Sequence, residues 1–139
     1  MPETMGFIRI GSDSPRLASA WLEWLRAHPE PSPALLAQAG TVASQLAVLR
    51  CLSLSVTSRL ASGLSPTVEA ALVKDLGTEY EQRLPTMLAD SVYADPHVPP
   101  GAEFQRTLAY VTKVAPAFSL RGGTREVLRG MIARGLGLR

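Results

Sequence analysis

Apolar residues recur at helical spacing in five blocks, separated by proline, glycine and serine. In the first block Leu17, Trp21 and Leu25 fall four apart, with Ala18 and Leu22 beside them. That spacing marks one apolar stripe on a helix of residues 14–28. Ser14 as cap and Pro15 in the first turn set its start. The prolines of residues 29–33 predict a short connector after it, because the residue before a proline avoids the helical conformation.

The second block carries the longest pattern. Leu35, Ala39, Val42, Leu46, Leu49, Val56 and Leu60 step by four and three, with Ser53 in the one polar place. A stripe held over this length predicts a long helix packed nearly antiparallel to its neighbours. Ser32–Pro33 suits its start and Gly63 its end.

A third helix opens after Ser65 and Pro66, with Leu72, Leu76 and Tyr80 on one face and then Leu84, Met87 and Leu88. Pro85 lies inside this pattern and predicts a kink or an early stop. After a proline-bearing stretch at 93–101, a fourth helix carries Phe104, Leu108, Val111 and Val114 and ends near Pro116. Residues 119–123 form a tight loop, and Thr124 caps a last helix running to about Leu136. The one strand candidate is residues 7–10. The pattern predicts an all-α, four- to five-helix up-down bundle over residues 14–139, behind an irregular segment at 1–13.

Length narrows this further. With 139 residues, 46% of them apolar and 19% charged, the chain suits one folded domain rather than a disordered segment. No uncharged apolar run approaches the ~18 residues that span a bilayer, and the start lacks the pattern of an export signal. Cys51 is the only cysteine, which excludes a disulfide framework. A cytoplasmic protein with no membrane partner is expected.

Candidate chemistry is sparse. His28 and His97 have no second ligand at a metal-binding spacing, so no metal site is expected, and both are read as surface or loop residues. Cys51 is read as a small core residue. Trp21 and Trp24 are read as core or interface packing. The net charge of +2 is too small to imply nucleic acid. However, Arg121, Arg125, Arg129, Arg134 and Arg139 gather at the end of the chain against Glu126 alone. They form either a solvated helix face or a site for a phosphate-bearing ligand. The run Arg121-Gly122-Gly123-Thr124-Arg125-Glu126 has the parts of an anion site: glycines that let backbone come close, then a helix N-terminus.

Residues 121–139, with the Gly-Gly-Thr-x-Glu run followed by Arg129, resemble the C-terminal signature of the acyl-CoA dehydrogenases. Residues 71–82 resemble the third C-domain helix of bacterial members. The resemblance implies the helical C-terminal bundle of a flavin enzyme that dehydrogenates acyl-CoA thioesters, with FAD as cofactor. It places Thr124 and Glu126, with Gly123, against the cofactor and Arg26 on the FAD pyrophosphate of a neighbouring subunit. Gly122 stands where many members carry the catalytic glutamate, so no catalytic residue is assigned. The implied partners are a homodimer or homotetramer, or a chain supplying the missing N-terminal and β-domains. A helical dimerisation module without chemistry is the alternative class. Nucleic-acid binding through the last helix is a weaker third.

Overall fold

The computed structural model describes residues 13–95 and 97–138. The strand candidate at 7–10 lies outside them. Five α-helices are present: α1 (Asp13–Ala27), α2 (Pro33–Ala61), α3 (Thr67–Tyr93), α4 (Ala102–Val114) and α5 (Arg125–Gly135). A 3₁₀ segment, Ala115–Leu120, joins α4 to the last loop. No strand occurs among the described residues, so the all-α bundle stands.

Local signals explain most boundaries. The Ser32 hydroxyl accepts the Leu35 N–H at 3.2 Å and caps α2. Gly63, at φ +78°, takes the left-handed turn that closes it. Ser14, read as the cap of α1, lies inside that helix and is buried, because the helix already includes Asp13. At Pro85 the expected early stop does not occur. Proline removes one N–H from the helical ladder, but Leu84, Pro85 and Leu88 are all buried and hold α3 continuous. The 3₁₀ segment was not in the pattern. Phe118 is fully buried there, and carbonyls of the segment are taken up by Gln82 at 3.2 Å (Ala115) and Lys74 at 3.4 Å (Phe118).

The main core lies between α1, α3 and α4, where Leu17, Trp21, Leu84, Leu88, Val92, Phe104 and Val111 are almost inaccessible. Both tryptophans belong to it. Trp21 Nε1–H donates to Ser91 Oγ at 2.9 Å, and Trp24 Nε1–H donates to the Val98 carbonyl at 3.0 Å. Below them His28, read as a surface or loop residue, lies in the loop just past α1, with a side chain only 5% exposed. Its Nδ1 accepts the Glu30 N–H at 3.1 Å, which leaves Nε2–H to donate to Asp95 Oδ2 at 2.6 Å. Asp95 Oδ1 in turn accepts the His97 N–H at 2.9 Å. One imidazole therefore ties the end of α1 to the end of α3.

α2 adds Leu35, Val42 and Leu49 to this core from one side and runs antiparallel to α3: Gln38 donates to the Met87 carbonyl at 2.7 Å, and Arg59 pairs with Glu69 at the other end. Leu35, Val42, Leu49 and Val56 are buried in the seam, with Ala39, Leu46, Ser53 and Leu60 half-buried between them. The far side of α2 is bare: Leu36, Val48 and Leu54 are each more than half exposed. Cys51, expected in the core, is exposed there too. By length and composition α2 also qualifies as a bilayer-crossing helix, which the count of consecutive apolar residues missed, although it is mostly exposed and its seam is packed on α3.

Removing the imidazole tests the α1–α3 tie. His28→Ala removes one of the two donors to the Asp95 carboxylate and opens a gap beside Trp24, so a lower unfolding midpoint is expected. Urea unfolding of the two proteins at pH 7 checks it, and an unchanged midpoint would show the tie to be idle.

Candidate functional site

The Gly-Gly-Thr turn forms as a physical unit. Gly122 (φ +71°) and Gly123 (φ +106°) both occupy the left-handed region that side chains avoid. They reverse the chain after Arg121 so that Thr124, in extended geometry, sits at the N-cap of α5. Gly123, Thr124 and Glu126 are thereby brought together at the start of one helix. The Thr124 hydroxyl makes no hydrogen bond to the α5 backbone. It lies beside the Glu126 carboxylate instead. Glu126's own backbone N–H and then Thr124 hold that carboxyl below its ordinary value. The positive end of α5 is therefore faced by an anion of the chain itself, the arrangement that a bound phosphate would otherwise adopt.

The arginines beside the turn are engaged as well. Arg125 donates through Nε to Asp75 Oδ1 at 2.7 Å and through Nη2 to Glu79 Oε2 at 2.8 Å. Arg129 Nε reaches Asp75 Oδ2 at 3.3 Å. The Arg121 guanidinium lies 4.3 Å from the centre of the Phe118 ring. The Asp75 side chain is only 10% exposed. Burial alone pushes its carboxyl upward and is the largest single influence. Hydrogen bonds from Arg125 and Arg129, with their charges, together outweigh it and hold the group below its ordinary value. At the far end of α5, Gly135 sits so close to Val68 that any Cβ would collide with it. α5 is thus clamped antiparallel on α3 at both ends.

Arg26 is elsewhere. It is exposed in the last turn of α1, two residues before His28, which binds Asp95. Asp95 and the Asp75 that anchors Arg125 are twenty residues apart along the chain. At 1.5 Å per residue that places them about 30 Å apart. Within one chain the structure does not bring Arg26 to the turn.

α3 also holds groups that the sequence pattern passed over. Lys74, Asp75, Thr78 and Glu81 are buried, whereas Leu72 and Leu76, expected on the inner face with Tyr80, are each 39% exposed. Lys74 Nζ donates to Thr78 Oγ1 at 2.9 Å. Burial pushes this amine below its ordinary value, and the Glu81 carboxylate partly opposes that. The missed signal was available: Lys74, Thr78 and Glu81 recur at helical spacing, and Arg125 and Arg129 four apart offer complementary charge.

Two hollows remain. One, of about 310 Å³, lies between α2 and α3 over Val48, Leu49, Leu76 and Tyr80. The Tyr80 hydroxyl is buried without a hydrogen-bond partner, and burial pushes its phenol up to about 12. The other, of about 460 Å³, is lined by Ser32, Gln38, Ser91, Asp95 and His97, and Gln38, Ser91 and Asp95 are already hydrogen-bonded within the fold. Among the described residues no three His, Cys, Asp or Glu side chains are set to hold a metal ion.

Compared with protein-family models, with characterised proteins and with solved structures, the chain matches none.

The charge cluster carries a pH signature. Asp75 binds a proton less readily folded than unfolded, so its contribution is complete above the ordinary carboxylate value near ~4. It is lost as pH falls through the lowered value. Asp75→Asn is expected to cost about 2–3 kcal/mol at pH 7. The variant should also lose less further stability than the parent between about pH 5 and 3. Urea midpoints across that range check both, and parallel pH curves would contradict the assignment.

Proposed function

We propose that this chain is a helical assembly module, a bundle that works by presenting the open side of α2 to a partner. One observation carries the reading: α2 is a 29-residue helix whose charges are Arg50 and Arg59 alone, and among the described residues its substantial packing is against α3. Exposed apolar helix surface of this extent marks an interaction site. The polar groups elsewhere serve closure of the fold: Arg125 and Arg129 on Asp75, His28 on Asp95, Glu126 at the start of α5. The tryptophan pair, buried inside the chain, is no part of the proposed contact. A homo-oligomer in the cytoplasm is the proposed setting.

Sedimentation velocity of the whole chain from about 5 μM to 500 μM tests it, a range chosen for the weak-to-moderate affinity of a small interface. A sedimentation coefficient that rises with concentration is expected. A strict monomer throughout would overturn the reading.

A second reading keeps the flavin-enzyme resemblance, as the C-terminal bundle of an acyl-CoA dehydrogenase acting with FAD on acyl-CoA. It is favoured by the turn itself, where the left-handed pair Gly122–Gly123 precedes the N-cap Thr124. Under this reading FAD displaces Glu126 from the helix start, and Arg26 serves a cofactor held by another subunit. Titration of FAD fluorescence distinguishes the two. The assembly reading expects no saturable quenching, whereas saturable quenching that Thr124→Ala weakens would favour the flavin reading.

A further inference from the structure

Opposite the seam that α2 packs on α3 runs a second strip with the same step of three and four. It comprises Ala37, Gly40, Ser44, Ala47, Cys51, Leu54, Ser58 and Ala61. All eight are exposed and none is charged. Leu36 stands on one shoulder of the strip and Val48 on the other, both more than half exposed. Near one end of it Gly40 is an anomaly. A glycine inside a helix costs about 1 kcal/mol relative to alanine. Yet a Cβ at Gly40 would meet nothing within 4 Å, so no contact among the described residues requires its absence.

We propose that two copies of the chain pair through this strip, their α2 helices antiparallel about a two-fold axis at Ala47. The inference rests on the assembly reading above and specifies its partner as a second copy. Residue 47 is the midpoint of α2, which spans Pro33–Ala61. A two-fold axis there sets each residue opposite the one equally far on the other side of 47. Leu54 then faces Gly40 of the other copy, and Leu36 faces Ser58. Large meets small at both ends, while Ala47 meets itself at the centre. The glycine that no contact among the described residues requires thus receives a leucine left more than half exposed.

The area agrees. A helix of this length extends about 43 Å, and a strip about 10 Å wide removes about 400 Å² from each chain. Val48 joins the strip to the exposed Leu76 of α3 across the small hollow between the helices. With that shoulder the total over both copies comes to about 1,000 Å², the lower bound for a specific interface. Such a dimer is concentration-dependent rather than obligate, and it matches a bundle that folds around its own core.

Cross-linking tests the register. In the antiparallel pair the two Cys51 residues lie about 12 Å apart along the axis, too far for a disulfide. The parent protein treated with copper phenanthroline is therefore expected to stay uncross-linked, whereas Ala47→Cys with Cys51→Ser cross-links to itself. With Cys51→Ser throughout, Gly40→Cys and Leu54→Cys chains should cross-link when mixed and neither alone. Self-linking of native Cys51, or of Gly40→Cys alone, would overturn the antiparallel register. Ala47→Glu, exposed and so expected to keep its helical circular dichroism, should raise the dissociation constant about 100-fold or more. An undiminished dimer in that variant would reject this face and leave the assembly reading intact. A parent that is monomeric throughout, including one that binds lipid vesicles as a monomer, would reject both.

Discussion

α3 is the surface on which every other element leans: α1 and α4 along one side, α5 and the 3₁₀ segment along another, α2 along a third. A helix with so many neighbours cannot have a single apolar stripe. Its half nearer the C-terminus is apolar where it meets α1 and α4, through Leu84, Leu88 and Val92. Its half nearer the N-terminus is polar where it meets α5, through Asp75 and Glu79. Burying Asp75 is tolerable only because two guanidiniums reach it, since an unpaired buried carboxylate is strongly disfavoured. The arrangement of α3 therefore dictates what α5 must carry.

The same arrangement decides what is left over. Two of the arginines near the end of the chain, Arg125 and Arg129, bond Asp75 of α3, and Glu126 faces the helix start that could have received a phosphate. α2, in contrast, meets the bundle along one line and shows the rest of its circumference to solvent. Charge is used for closure and apolar surface remains outside, the reverse of what a phosphate-binding cofactor domain needs. That contrast, more than any single residue, inclines the account toward assembly.

Where one physical rule governed a segment, the sequence was enough to place it. The steps of four and three from Leu35 to Leu60 located the α2 seam, and Ser32 and Gly63 located its ends. The Gly122–Gly123 turn followed from the conformational freedom of glycine. The failures came where tertiary packing overrode a local rule. Pro85 was absorbed because its neighbours are buried. Leu72 and Leu76 were displaced outward because Asp75 and Lys74 had inward partners about fifty residues away. Cys51, read as a small core residue, lies outside on the bare side of α2. A periodic stripe tells which side of a helix is packed, but not whether the opposite side is covered. The second strip on α2 was present in the letters all along and acquired meaning only when the structure left it bare.

The most direct test looks for contact between two copies. In a mixed sample of isotope-labelled and unlabelled chains at high concentration, isotope-filtered nuclear Overhauser effects report only protons brought together between molecules. Cross-peaks are expected from the Leu54 methyl groups of one copy to the Gly40 α-protons of the other. Intermolecular cross-peaks confined to another helix, or none at a concentration where the chain is associated, would contradict it.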